Sequence, residues 1–135
     1  MALVAAVLAA ISACGSPQTE TKKEEEVETI ARTEFTERIE NFFEYEALRP
    51  GKSSAFLIHL TDLSDGAPVE KAEVTLTVRP AAGGEATPTR AKVGRVTGIY
   101  VADVAVPAPG AYTIEFRVVN SKLDERMSLD GFTAQ

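Results

Sequence analysis

Residues 73–79 read Glu-Val-Thr-Leu-Thr-Val-Arg, the stretch in which apolar and polar side chains alternate most strictly. Val74, Leu76 and Val78 share one face and polar side chains share the other, which is the period of a half-buried β-strand. Pro80 follows and lacks the N–H that a sheet ladder needs, so the strand is expected to end there. The stretch therefore predicts a strand with one apolar and one polar face.

The same period recurs on both sides of this strand, between turns rich in proline, glycine and serine. Further strands are predicted over residues 54–63, 98–104, 111–118 and 126–134, with a weaker one near 91–96. About seven short strands without a convincing helix predict an all-β fold, an immunoglobulin-like β-sandwich. Its expected core consists of Phe56, Ile58, Leu60, Val74, Leu76, Val78, Tyr100, Val104, Tyr112, Ile114 and Phe116.

Two turn regions carry more specific expectations. Residues 107–110, Pro-Ala-Pro-Gly, resemble a hairpin turn between two strands. The Pro-Gly-Ala-Tyr sequence that ends at Tyr112 is similar to the tyrosine corner of immunoglobulin-like domains, in which a ring early in strand F bonds backward to the main chain. The chain has no tryptophan, and its one cysteine is Cys14, so the sandwich is expected to rely on packing alone.

The chain of 135 residues begins with an uncharged apolar run over residues 1–13. As a helix this run would be roughly 20 Å long, short of the ~30 Å hydrocarbon core of a bilayer. It is therefore interpreted as the apolar part of a signal peptide and not as a membrane span.

The run ends in Ile11, Ser12 and Ala13, followed by Cys14. This resembles the lipobox of bacterial lipoproteins, in which an aliphatic residue and two small residues precede a cysteine that is acylated and becomes the N-terminus. Ile11, Ser12 and Ala13 are then the recognition residues and Cys14 is the lipid attachment site. The alternative is an ordinary signal peptide with an incidental cysteine.

Residues 14–32 change abruptly to polar and charged side chains and are interpreted as an acidic tether. A flexible coil of this length has a reach of roughly 20–25 Å, and a short helical stub around residues 27–31 is the alternative. The folded domain is expected over residues 33–135. The formal net charge of −6 argues against nucleic-acid partners and against electrostatic binding to anionic lipid, which leaves the lipid as the membrane contact.

The residues that could support catalysis or metal binding are few. The chain contains one histidine, His59, in the middle of a predicted strand, and no polar cluster in the loops is visible that would complete a catalytic triad with it. One histidine and one cysteine are too few for a zinc site, and we expect no enzyme and no cofactor. His59 and Met127 are weak candidates for a copper(I) site, against the favoured interpretation as a strand histidine and a packed methionine. Asp62, Asp65 and Glu70 could contact calcium, but are expected to shape a turn.

Several stretches together resemble a known domain. Residues 33–45 lead to Leu-Arg-Pro-Gly at 48–51, then to the strand 56–63 with Phe56, His59, Leu60 and Thr61, and later to the Gly-Ile-Tyr and Gly-Ala-Tyr turns. This sequence is similar to the N-terminal β-sandwich domain of periplasmic adaptor subunits, the membrane fusion proteins, of heavy-metal RND efflux pumps. The resemblance covers roughly residues 33–134.

The resemblance implies a periplasm-facing, lipid-anchored module that contacts other efflux-system proteins, with the inner membrane favoured over the outer. The chain would be either a piece of a longer adaptor or a free-standing copy of the domain. The alternative function is a free-standing periplasmic copper-associated lipoprotein. A carbohydrate-binding or adhesion module is a third hypothesis, disfavoured because the outward strand positions are expected to be mostly Thr, Glu and Arg.

Overall fold

The computed structural model describes residues 27–135, which form ten β-strands and no helix. One sheet has six strands in the order β1-β2-β3-β8-β7, with β4 paired to β3, and the other has four in the order β10-β9-β5-β6. Every pairing is antiparallel. The strands are β1 (Thr29–Phe35), β2 (Ile39–Glu46), β3 (Ser53–Asp62), β4 (Ala67–Pro68), β5 (Glu73–Pro80), β6 (Thr87–Arg90), β7 (Lys92–Val93), β8 (Ile99–Ala105), β9 (Gly110–Val119) and β10 (Asp124–Ala134).

The apolar faces of the two sheets pack against each other, and the predicted all-β sandwich is confirmed. All eleven side chains expected in the core are buried. Rings from both sheets meet at its centre: the Phe43 centroid lies 4.9 Å from that of Phe116, and the Tyr45 centroid lies 5.3 Å from that of Phe132. Tilted rings at these separations add to the stabilisation from buried area.

The N-terminal border of the domain differs from the prediction. The first strand begins at Thr29, so the expected border at residue 33 is four residues too late, and the suggested helical stub is wrong. The reason is tertiary: β2 pairs with seven consecutive residues of β1, and Ile30 packs on the core opposite Tyr45. The predicted signal peptide, lipobox and most of the tether lie outside the described residues.

The strand count also differs, because β1 and β2 add an edge to the sandwich and the weak strand near 91–96 is replaced by two short strands, β6 and β7.

The predicted hairpin at residues 107–110 is wrong as well. β8 and β9 belong to different sheets, so this segment is a corner at which the chain crosses from one sheet to the other. Tyr112 closes that corner: its hydroxyl donates to the carbonyl oxygen of Ala108 at 2.7 Å, as the predicted tyrosine corner requires.

The two ends of the sandwich have different roles in the chain path. At one end the Ala47 N–H donates to the Glu28 carbonyl at 2.8 Å, and the Gln135 N–H donates to the Leu48 carbonyl at 3.3 Å. The chain therefore enters and leaves the described domain at the same end. The other end, called here the loop end, carries the connections after β1, β3, β7 and β9.

Arg32 closes the side of the sandwich on which β1 and β10 are the edge strands. Its guanidinium lies over the ring of Phe132, 4.8 Å from the centroid, and Nη1 donates to the Asp130 carbonyl at 2.8 Å. Nη2 also pairs with the Glu34 carboxylate at 2.8 Å. A cation over a partly desolvated ring is worth about 0.5–2 kcal/mol, so Arg32 couples the two sheets where their edges meet.

Among residues 27–135, no helix has the length and apolar character needed to cross a membrane.

Candidate functional site

The outer face of the six-stranded sheet carries an unusual set of apolar side chains. Strand register brings them together: Phe42 of β2 is opposite His59 of β3, which is opposite Ile99 of β8. In the next row, Leu57 is opposite Val101. We call this set the apolar patch, and it consists of Phe35, Phe42, Leu57, His59, Ile99 and Val101.

The patch is accessible to a partner. Phe35 is 62% exposed and Leu57 36% exposed, and the other members are half-buried. The ring centroids of Phe42 and His59 are 5.3 Å apart, so the histidine forms part of a packed surface. From strand and row spacings, the three rows and four strands span roughly 14 Å by 14 Å. A contiguous apolar area on the outside of a sandwich is typical of an interaction surface.

Acidic side chains flank the apolar patch. Glu40 and Glu44 lie on β2 on either side of Phe42, and Glu46 follows at the end of the strand. Asp103 on β8 is opposite Ala55, and the Ala55 N–H donates to the Glu46 carboxylate at 3.4 Å, so a second acidic row crosses the sheet. Lys92, opposite Val101, is the basic residue that β7 adds to this face. The face therefore combines apolar side chains with a net negative charge.

The outer face of the four-stranded sheet has a different composition. It carries mainly hydroxyl-bearing and charged side chains, namely Thr75, Thr77, Arg79, Arg90, Thr113, Glu115, Arg117, Arg126 and Ser128, together with Pro88 and Val119. Two of its arginines are paired with acids: Arg90 with Glu73 at 2.6 Å, and Arg117 with Asp124 at 3.4 Å. The expectation of outward Thr, Glu and Arg is correct for this sheet and wrong for the six-stranded sheet.

The loop end contains an ion pair that fixes the turn after β3. The Asp62 carboxylate is 8% exposed and accepts hydrogen bonds from Arg38 at 3.0 Å and from the Ser64 hydroxyl at 2.7 Å. These bonds, from Arg38 first and then Ser64, hold the pKa of the Asp62 carboxyl well below its usual range. Asp65 accepts from the Ala67 N–H at 2.9 Å and shapes the same turn.

The suggested calcium ligands, Asp62, Asp65 and Glu70, are not grouped so as to hold a metal ion. Asp62, Asp65 and Glu70 do line one cleft of about 510 Å³ between the β3–β5 connection and the β9–β10 turn. The Asp62 oxygens are taken by Arg38 and Ser64, and the main-chain carbonyl of Glu70, not its carboxylate, accepts from the Asn120 side-chain amide at 3.0 Å. The geometry is that of a braced turn.

The structure separates the two weak copper candidates. His59 alternates with buried Ile58 and Leu60, so its ring is on the outer face of the six-stranded sheet. Met127 is in the core, 8% exposed, with its sulfur 3.5 Å from the Asn41 amide nitrogen, which donates to it. The two side chains lie on opposite sides of the sheet and do not share a site. Within residues 27–135, no three His, Cys, Asp or Glu side chains are grouped so as to hold a metal ion.

The remaining predicted site residues, Ile11, Ser12, Ala13 and Cys14, lie outside the described residues. The structure shows instead a surface that the sequence reasoning missed. A signal for it exists in β2, where the outward positions read Glu40, Phe42, Glu44 and Glu46. An aromatic residue among glutamates on a solvent face is the irregularity that marks the patch.

Comparison with one solved structure, that of FetP, supports the fold. No protein-family model and no curated protein matches the sequence. Among solved structures, FetP of uropathogenic E. coli strain F11, recombinantly expressed in the periplasm of E. coli, is similar with a TM-score of 0.52. The two sequences are 9% identical, and the match covers 78% of this chain and 97% of FetP. The ZirS C-terminal domain matches with a TM-score of 0.42 at 19% identity, covering 97% of this chain and 86% of that one.

Proposed function

We propose that this chain is a periplasmic lipoprotein module that acts by protein–protein contact within an efflux system of the RND and membrane fusion protein type. The apolar patch is the observation that carries the proposal. A stable sandwich needs no apolar side chains on a solvent face, whereas a docking surface does. The efflux context comes from the resemblance of residues 33–134 to adaptor domains.

The energetics of the patch fit a docking function. Leu57 and Phe35 are the most exposed members, so a partner that covers them removes the most apolar surface from water. Full burial of one such side chain is worth about 1.5–3 kcal/mol before the costs of association. Phe42 and His59, already packed together, form a rigid floor that loses little side-chain entropy on binding.

The proposed anchor is the acylated Cys14. Acyl chains hold a protein on a bilayer without help from protein charge, which suits an acidic chain with a net charge of −6. Residues 15–28 would separate the lipid from the domain, and Thr29 begins β1 at the end opposite the loop end. The proposal assigns no catalytic step to the domain and favours the inner membrane.

The copper-associated alternative has less support than docking. It depends on His59 and Met127 acting together, and the sheet stands between them. Docking instead uses His59 as part of the packed floor of the patch.

Site-specific photocrosslinking in cells tests the contact. A photoreactive phenylalanine analogue is placed at position 57 of the full chain, and, as the matched control, at position 77 on the outer face of the four-stranded sheet. We expect a covalent protein adduct from position 57 and little or none from position 77. Equal yields from both positions, or no adduct from position 57, would overturn the docking proposal.

A separate experiment tests the anchor. The Cys14→Ser variant is expected to move from the membrane fraction to the soluble fraction, and mass spectrometry of the wild-type N-terminal peptide should show an acylated cysteine. A free thiol at Cys14 in membrane-extracted protein would contradict the anchor without affecting the docking surface.

A further inference from the structure

The charges around the apolar patch restrict the kind of partner that can dock on it. Glu40 and Glu44 stand on either side of Phe42 in β2, and Glu46 and Asp103 lie on either side of Ala55 in the next charged row. The ion pairs among residues 27–135 involve other acids, namely Glu34, Asp62, Glu73 and Asp124. Within this range, no ion pair is found that involves Glu40, Glu44, Glu46 or Asp103.

We infer that the patch binds a basic segment of a partner protein, in which one or more apolar side chains are flanked by Lys or Arg. The inference rests on the proposed contact function and specifies the chemistry of its partner. Covering the patch brings the partner within a few ångströms of Glu40 and Glu44. An acidic or neutral partner would leave these carboxylates partly desolvated and unpaired, which costs free energy, whereas Lys or Arg side chains would pair with them.

The same charges argue against two other occupants. In a symmetric pairing with a second copy through this face, the glutamates of one copy would oppose those of the other. A bilayer surface rich in anionic lipid would be repelled by the same carboxylates. A protein segment with apolar side chains at its centre and Lys or Arg on either side complements both the apolar patch and the carboxylates around it.

The geometry also indicates how the partner would lie. The apolar column on β3 and β8, with Leu57, His59, Ile99 and Val101, runs beside the glutamates of β2. Glu40 and Glu44 are four residues apart, which in a strand is roughly 13 Å. A segment that runs along the strands can place its apolar side chains on Leu57 and Val101 and its cations over β2.

A charge-reversal experiment tests the inference in the full chain. The crosslinker at position 57 is combined with Glu44→Lys, or with Glu40→Lys and Glu44→Lys together. The matched control is Glu115→Lys on the outer face of the four-stranded sheet, which changes the net charge as much as Glu44→Lys does. We expect the double variant to lower the adduct yield on the order of tenfold, Glu44→Lys less, and the control to leave it unchanged.

Sequencing the crosslinked partner peptide provides the second readout. A peptide with Lys or Arg beside apolar residues supports the inference. An acidic or neutral peptide, a lipid adduct, or an adduct with a second copy overturns it, as does a yield that the Glu44→Lys variant does not reduce. If position 57 still gives an adduct with another protein, the proposed contact function stands even when the basic-segment inference fails. If position 57 gives no adduct at all, both the contact function and the inference are overturned. The neutral Glu44→Gln variant, with a smaller decrease expected, guards against a folding defect caused by lysine.

Discussion

The two outer faces of this sandwich are built from the same kind of strand but differ in chemistry. The outer face of the six-stranded sheet presents Phe42, Leu57 and Val101 among glutamates that form no ion pair within residues 27–135. The outer face of the four-stranded sheet presents threonines and arginines, and two of those arginines are paired with acids. The composition of either outer face is compatible with folding, because the core is formed by the inner faces of the two sheets. The difference fits the docking function proposed for the face of the six-stranded sheet.

The largest expected effect separates the inner from the outer face of β2. Phe43→Ala removes a fully buried ring that contacts Phe116 across the core, and should lower the free energy of unfolding by about 3–5 kcal/mol. Phe42→Ala, one residue away on the outer face, should cost about 1 kcal/mol. Urea denaturation of both variants measures the difference. Equal losses would mean that Phe42 stabilises the fold as much as Phe43 does, which would contradict the difference in function between the inner and outer faces of β2.

The next effect concerns the border of the six-stranded sheet, where the loop before β8 passes against β4. Gly98 has a φ of +85°, and a Cβ there would lie 2.6 Å from the Cβ of Pro68. Gly98→Ala should therefore cost about 2–4 kcal/mol, from backbone strain and overpacking together. Gly66→Ala is the control: its φ is +72° but nothing lies within 4 Å, so about 1 kcal/mol is expected. Thermal unfolding should show a larger decrease in melting temperature for Gly98→Ala than for Gly66→Ala.

The third prediction compares an ion pair at the end of each sheet. The lowered pKa of Asp62 means that its pairing with Arg38 stabilises the fold above the unfolded-state pKa of about 4 and is lost as the pH falls below it. Asp62→Asn should thus destabilise the protein at pH 7 and make it less sensitive to acid. Asp124→Asn, which breaks the exposed pair with Arg117 at 3.4 Å, should have little effect. Denaturation curves at pH 7 and pH 3 distinguish the two, and equal behaviour would contradict the prediction.

The smallest effect is expected for substitutions on the two outer faces themselves. Leu57→Lys and Thr77→Lys should each change the free energy of unfolding by about 0.5 kcal/mol or less, because neither side chain contributes to the core. Chemical denaturation checks this. A much larger loss for Leu57→Lys would show that the apolar patch stabilises the domain.

The sequence predicted the parts of this fold that depend on local pattern. The alternation in residues 73–79 identified β5 and the inward direction of Val74, Leu76 and Val78. The Pro-Gly-Ala-Tyr sequence predicted a backward bond from Tyr112 to the main chain, and the structure shows the Ala108 carbonyl, four residues earlier, as its acceptor.

The parts that the sequence did not predict depend on distant residues. Thr29–Phe35 carries little apolar signal of its own and becomes a strand because β2 offers it an edge. Arg32 and Asp130 are 98 positions apart, so their contact has no local signature. The apolar patch is assembled from four strands by register, and only Phe42 marks it along the chain. His59 and Met127 are each visible in the sequence, but nothing there shows that a sheet separates them.

The way β1 is attached has a mechanical consequence. A load applied through residue 27 pulls β1 along its own axis, away from the loop end, while β2 and the rest of the sheet stay in place. In this direction the hydrogen bonds of the seven β1–β2 residue pairs share the force in shear instead of opening one after another. The bond from Arg32 to Asp130 adds resistance from the other sheet. A pull on the N-terminal side of the domain is thus shared by the whole of β1, the strand that carries Phe35 of the apolar patch.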